Sequence, residues 1–195
     1  MEINWQGKSS FTIKGSEATV ALDPQNDNVK ANVVLFTKQD SESGIQNAKI
    51  LNWPGEYEVS NVSIEAIPSV PPQDKPINIF VFSVDNIRVC SLGTLSTDIT
   101  EAMFERIGDV DILILPVGTK EVLSTKQAQT IFEEIDPRVV ILSCYEGAPS
   151  EFLKAVGKSD LATKDKFSVD CSLFCVIFFI YHPEVKLKTL LIAKG

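Results

Sequence analysis

The order of elements after Gly93 constrains this chain more than any other feature. Ser96-Thr97-Asp98 supplies capping oxygens, and Ile99, Ala102, Met103 and Ile107 recur at helical spacing before Gly108, a fitting C-terminal cap. Residues 111–115 read as a buried strand. Ser124-Thr125-Lys126-Gln127 forms a capping box for a second helix, with Ala128, Ile131, Phe132 and Ile135 as one stripe and Asp136-Pro137 as its stop. Residues 139–142 are the next buried strand, and Ser150 opens a short helix through Val156 to Gly157. Strand, helix, strand, helix, strand in succession requires helices packed on a sheet.

The first half supplies mainly strands. Residues 2–5, 10–13 and 18–22, punctuated by Gly7 and Gly15, predict an antiparallel meander. Residues 33–36, 50–53, 62–67, 77–84 and 87–92 continue the β pattern, and Asp85-Asn86 has the composition of a tight hairpin turn. Residues 171–181 and 185–193 close the chain as two strands joined at His182-Pro183. Two sheets sandwiched between helices accommodate both halves: an α/β protein with αββα layering. Its 195 residues read as one domain of two similar halves, about 1–95 and 96–195, since the ten glycines and ten prolines are scattered and mark no linker.

A net charge of −8 repels a phosphate backbone, and no basic stretch is interleaved with aromatics, so nucleic acid is disfavoured. The N-terminus lacks a basic segment followed by an apolar one, and the apolar run at 173–181 is far shorter than the roughly 20 residues of a membrane helix. Cys90, Cys144, Cys171 and Cys175 lie in apolar surroundings without a CxxC pair, as reduced core thiols do. These features predict a cytoplasmic protein.

Short islands at the strand ends resemble the metallo-β-lactamase superfamily, within it the short bacterial branch similar to ascorbate-phosphate lactonase-like, Zn-dependent hydrolases. The likeness runs from Ile3 to about Val156. Trp5-Gln6-Gly7-Lys8-Ser9-Ser10-Phe11 stands where such proteins show W-x-G-H-S-x-F, and Leu22-Asp23-Pro24 for I-D-P. Residues 33–37 precede the place of the signature T-H-x-H-x-D-H. Pro54-Gly55-Glu56-Tyr57-Glu58-Val59, Ala66-Ile67-Pro68-Ser69, Leu92-Gly93 and Leu115-Pro116-Val117-Gly118 follow in the family's order. The resemblance implies the four-layer fold, with two mixed sheets flanked by helices.

It also implies a site where imidazoles and carboxylates hold one or two zinc ions and activate water. Here the signature reads Thr37-Lys38-Gln39-Asp40-Ser41-Glu42-Ser43, so Lys38, Asp40 and Ser43 stand for histidines and Glu42 for the aspartate. Lys8 replaces another ligand, and Pro71 falls where a histidine is expected. Ser91-Leu92-Gly93-Thr94 occupies the place of H-L-G-D, with Ser91 and Thr94 at ligand positions, and Cys144-Tyr145 the place of H-Y. Lysine ammoniums among former ligands repel divalent cations, and Lys8 or Lys38 is expected to pair with Asp23, Asp40 or Glu42.

The loss of ligands predicts a non-catalytic protein that binds a protein partner or small ligand and has no cofactor. The alternative is a lactonase-, esterase- or phosphodiesterase-type hydrolase whose non-standard metal site uses Asp40, Glu42 and Cys144. A non-catalytic role in an RNA-processing complex is a third reading, which the acidic charge disfavours. His182, the only histidine, would need Ser9, Ser10, Ser69 or Ser143 for a triad, but its neighbour Pro183 argues for a turn. Cys171 and Cys175 share a strand face among Leu173, Val176, Ile177, Phe178 and Phe179, which favours packing over metal binding. Glu56 and Glu58 read as one face of a strand and not as an acid/base pair. The apolar C-terminal strands suggest a homo-oligomer interface; no membrane contact is expected.

Overall fold

A computed structural model of the chain describes residues 1–39, 41, 43–69, 76–145 and 149–157 with their side chains, and the backbone alone of 167–168, 175–182 and 185–193. β1 (Glu2–Gly7), β2 (Ser10–Lys14) and β3 (Thr19–Leu22) form the expected antiparallel meander, and β4 (Val33–Leu35) and β5 (Lys49–Leu51) join it in parallel.

β6 (Gly55–Val59), β7 (Val62–Pro68), β8 (Asn78–Val84) and β9 (Ile87–Ser91) make a second antiparallel run. Two of its turns have left-handed central pairs, Ser60-Asn61 (φ 52° and 60°) and Asp85-Asn86 (φ 53° and 62°). That geometry matches the twist of paired strands and suits Asn and Asp.

α1 (Glu101–Ile107) leads to β10 (Ile112–Pro116), α2 (Thr125–Ile135) to β11 (Val139–Ser143), and α3 (Ser150–Ala155) follows. β12 (Phe167–Ser168) pairs with β1, while β13 (Cys175–His182) and β14 (Val185–Ala193) extend the second sheet beyond β11. β9, β10, β11 and β13 run parallel in the second sheet, and helices make the returns between β9, β10 and β11. The orders are β12-β1-β2-β3-β4-β5 and β14-β13-β11-β10-β9-β8-β7-β6.

Alternation along each strand builds the layers. Val20, Leu22, Val33 and Leu35 of the first sheet meet Phe80, Phe82, Val89, Ile112, Ile114, Val139 and Ile141 of the second in one seam between the sheets. The intervening residues, Ile79, Val81, Cys90, Leu113, Leu115, Val140 and Leu142, pack under Met103, Ile107, Ala128, Ile131, Phe152 and Leu153 of the helices. Strands covered on both faces must be apolar throughout, which is why β10 and β11 read as continuous hydrophobic runs. On the outer face of the first sheet, Ala21, Val34 and Phe36 pack with Ile45, Val29 and Ala48.

The capping box of α2 forms as expected, with Ser124 and Gln127 bonded reciprocally. The first helix starts later than expected. Thr100 is its cap and accepts from the Met103 amide, whereas the Asp98 carboxylate accepts from Gln127 Nε2 at 2.9 Å and ties the loop to α2. Leu95 and Ile99 are buried in that loop, so the backbone stays irregular to carry them inward.

Candidate functional site

One end of the seam changes from apolar to polar by a simple continuation of the strand period. Two residues beyond Leu35 lies Thr37, two beyond Val89 lies Ser91, and two beyond Ile141 lies Ser143. All three are buried. β8 runs antiparallel to β9 and starts at the same end, where Asn78 precedes Phe80 by two and is fully buried. Hydroxyls and an amide therefore cap the apolar columns at the carboxyl ends of the parallel strands, a common position for ligand sites in α/β sheets.

Asp23 is the charged centre of this end. It sits just past β3 with φ 40°, and its two carboxylate oxygens accept from the Thr37 amide and hydroxyl, each at 2.7 Å. Burial raises its pKa above the ordinary carboxylate value, against the opposing hydrogen bonds of Thr37 and Ser9 and the more distant charge of Lys38. The residue as a whole is half-buried, but its carboxyl is enclosed.

Thr37 in turn packs on Gly93. A Cβ at Gly93 would lie 2.4 Å from Thr37 Cγ2. The Gly93 carbonyl accepts a long contact from Cys144 Sγ at 3.7 Å, and the Cys144 amide donates to the Lys8 carbonyl at 3.3 Å. The indole of Trp5 donates to that same carbonyl at 2.8 Å, and its ring stacks between Phe11 (6.2 Å) and Tyr145 (5.4 Å). Lys8 and Cys144 both adopt left-handed backbone, φ 50° and 60°.

Several sites read from the sequence thus converge: Lys8, Lys38, Ser91, Thr94 and Cys144 lie on loops or strand ends meeting here. Ser43 does not join them; its hydroxyl donates to Asp27 in the loop after β3. Asp40, Glu42, Pro71 and Cys171 lie outside the described residues, and Cys175 and His182 are described by backbone alone. Of the three carboxylates expected to pair with Lys8 or Lys38, Asp40 and Glu42 lie outside the described residues, and Asp23 is bonded by Thr37 with Lys38 acting on it through its charge. Lys8 and Lys38 are exposed, and Thr37 and Ser9 satisfy the carboxylate instead, because a hydroxyl and an amide one strand away fit an enclosed space that an ammonium would enter only by losing its water.

Sequence reasoning passed over Thr37 and Asn78 as site residues and weighed Ser143 only as a triad serine. Extending the period-two pattern past each strand end would have found them. Asn78 holds the Thr37–Gln39 segment in place: its amide nitrogen in the backbone donates to the Thr37 carbonyl, its side-chain oxygen accepts from Gln39, and its side-chain NH₂ donates to the Asn52 carbonyl.

The sign of the Asp23 shift gives a prediction. A raised folded-state pKa means that the group contributes most to stability below its unfolded value, 3.8, and loses that contribution as pH rises through the raised value. At pH 7 the enclosed charge is a cost. Asp23→Asn keeps an acceptor for the Thr37 amide and lets the Thr37 hydroxyl act as acceptor. We expect the variant to match or exceed the wild type in Tm at pH 7, with its relative advantage shrinking as pH falls toward 4. Equal destabilisation at every pH would show that the charge carries no penalty.

Zinc sites take about four donors, three of them from protein in open catalytic sites. Among the described residues no group of three His, Cys, Asp or Glu side chains is placed to hold a metal ion. Both Asp23 oxygens are engaged by Thr37, and burial pushes the metal-free Cys144 thiol up to about 11, with smaller effects from Ser143, Asp23 and Lys8. The described residues do not fit a two-metal centre.

The family described as a beta-lactamase superfamily domain matches residues 2–142. A UPF0173 protein of Pyrococcus furiosus is 28% identical over 157 residues, spanning 78% of this chain and 68% of the relative. The structure of a proposed Zn-dependent hydrolase of the metallo-β-lactamase superfamily from Thermotoga maritima superposes with a TM-score of 0.69 at 28% identity, covering 79% of this chain and 84% of that one. Igni18, a metallo hydrolase of Ignicoccus hospitalis, shares the fold at a TM-score of 0.61 and 16% identity, over 80% and 90% of the two chains. The expectation of a protein without a cofactor is corrected on this point: structures similar to this chain are named for zinc- or metal-dependent hydrolysis.

Proposed function

As this chain belongs to the beta-lactamase superfamily domain family, we propose that it is a small-molecule hydrolase of the metallo-β-lactamase fold, working at the polar end of the seam with a non-standard metal site. One observation carries the reading: Lys8, Asp23, Thr37, Ser91, Gly93 and Cys144, distant in sequence, are linked or brought together at the carboxyl ends of the strands. The relatives named as metal-dependent hydrolases support it. Bound metal would supply Lewis acidity and an activated water.

No step is drawn through that metal, since the described donors do not complete its site. The chain's own groups have clear tasks. Trp5 and the Cys144 amide hold the Lys8 turn at the cleft, Thr37 fixes Asp23, and Asn78 fixes the segment leading to residues 40–43. The reactions proposed are lactone, ester or phosphodiester hydrolysis. A cytoplasmic setting agrees with Cys90 and Cys144, both buried and unpaired, and no helix among the described residues is long and apolar enough to cross a membrane.

A second reading, ligand binding without turnover, is favoured by the Asp23 carboxylate, both of whose oxygens are engaged by Thr37. Metal analysis of protein purified without an affinity tag separates the two, together with a zinc and manganese titration of Tm and a panel of lactone, ester and phosphodiester substrates. Stoichiometric metal, a rising Tm and turnover lost in Cys144→Ala support the hydrolase. Absence of both metal and turnover leaves the binding reading.

A further inference from the structure

We propose that the polar end of the seam is built to receive a small anionic molecule with oxygens at both ends, such as a short dicarboxylate or a phosphorylated acid, held by Ser91 and Ser143 below and by Lys8 and Lys38 at the rim. The inference rests on the cleft being the working site, as argued above, and adds the chemical class of its ligand.

The carrying observation is a pair of unpartnered groups. Ser91 and Ser143 are 1% and 0% exposed, and neither hydroxyl has a hydrogen-bond partner among the described residues. The Ser143 hydroxyl lies near enough to the Cys144 thiol to influence it, yet makes no bond of ordinary geometry. A buried donor without an acceptor is costly, and native proteins rarely keep two at one end of one seam unless something else supplies the acceptors. By strand parity both face the same space as Val89 and Ile141, into the seam and beneath the cleft.

Spacing sets the size of the ligand. Ser91 lies beside Ile114 of β10, and Ser143 lies beside Pro116 of the same strand, so one strand separates the two serines. Two inter-strand steps, with the stagger of two residues between Ile114 and Pro116, separate them by about 12 Å. A bare phosphate does not span that distance, whereas a molecule of several atoms with an oxygen at each end does.

Charge decides the sign. The chain as a whole is acidic at −8, yet at this end two lysines stand at the mouth, with Lys8 affecting the Cys144 thiol and Lys38 affecting Asp23 through their charges. The Asp23 oxygens accept from Thr37, and Lys8 and Lys38 are themselves exposed. Two ammoniums at the rim favour an anion locally, while the net charge of −8 keeps general anion binding weak.

The experiment titrates the full chain at low salt with glutarate, with inorganic phosphate and with the neutral diamide of glutarate, following Tm and heat. Glutarate is expected to raise Tm, the diamide to leave it unchanged, and phosphate to bind more weakly. Ser91→Ala/Ser143→Ala should weaken glutarate at least about tenfold. Without ligand the double variant should melt no lower than the wild type, since an unsatisfied hydroxyl is removed. Lys8→Met/Lys38→Met should weaken binding similarly and flatten its salt dependence.

Glutarate that leaves Tm unchanged, or binds equally to both double variants, overturns the proposal and assigns the serines to buried water. The outcome is separable from the hydrolase reading. Glutarate binding without metal or turnover keeps this inference and removes that one; metal-dependent turnover without glutarate binding does the reverse.

Discussion

Gly93→Ala is expected to lower Tm by roughly 10 °C, as measured by thermal unfolding. Two effects add at this position. Gly93 has φ 56°, where an L side chain costs about 1–2 kcal/mol. Its Cβ would also stand 2.4 Å from Thr37 Cγ2, 2.7 Å from Cβ and 2.9 Å from Oγ1. Thr37 cannot swing aside, because its amide and hydroxyl both hold Asp23 at 2.7 Å. Overpacking of this kind costs roughly 1–3 kcal/mol more. Gly157→Ala is the control: φ is 70° but no atom of the described residues lies within 4 Å, so only the backbone part applies. Gly93→Ala/Thr37→Ser removes Cγ2 while keeping the hydroxyl for Asp23, and should recover part of the loss. Equal effects at Gly93 and Gly157, with no recovery from the second change, would remove Thr37 from the explanation.

That contact shows where sequence reading ends. Gly93 was legible as a turn glycine, but the feature that excludes a side chain is Thr37, more than fifty positions earlier on the other sheet. Local composition carries no trace of it. The strands and helices were legible for the opposite reason. β10 and β11 are covered on both faces and so are written as unbroken apolar runs, while α2 announces itself by Ser124 and Gln127 four positions wide. The start of α1 was misplaced because three capping-type residues precede Thr100, and only the tie between Asp98 and Gln127 decides among them.

The site was legible as a set of positions and less so as chemistry. Family spacing brought Lys8, Lys38, Ser91 and Cys144 forward as replaced ligands, and the fold does bring their segments together. What those residues do instead of ligating was hidden. The satisfaction of Asp23 by Thr37 needs one strand beside another in register, and the unpartnered state of Ser91 and Ser143 is a property of what surrounds them. The sequence lists donors; only packing says which of them lack acceptors.

Phe11→Ala is expected to be comparably damaging, at roughly 3–5 kcal/mol, the usual cost of emptying a buried phenylalanine. Phe11 is 1% exposed on β2 and is among the largest fully buried side chains described, at the point where the seam meets the cleft. Its loss reaches further than its own volume. Trp5 stacks on it at 6.2 Å and on Tyr145 at 5.4 Å, and the Trp5 indole holds the Lys8 carbonyl at 2.8 Å. The three rings thus join the first sheet to the loop after β11, and with it Lys8 to Cys144. Removing the first ring should lower Tm by roughly 10 °C and shift the fluorescence of Trp5 to the red, while Trp53, already 62% exposed, reports little change. Phe11→Leu, which retains most of the volume, should cost less than about 1.5 kcal/mol and leave the spectrum near its original position. A red shift in Phe11→Leu as large as in Phe11→Ala would mean that aromatic stacking, and not filled space, holds Trp5 over the cleft.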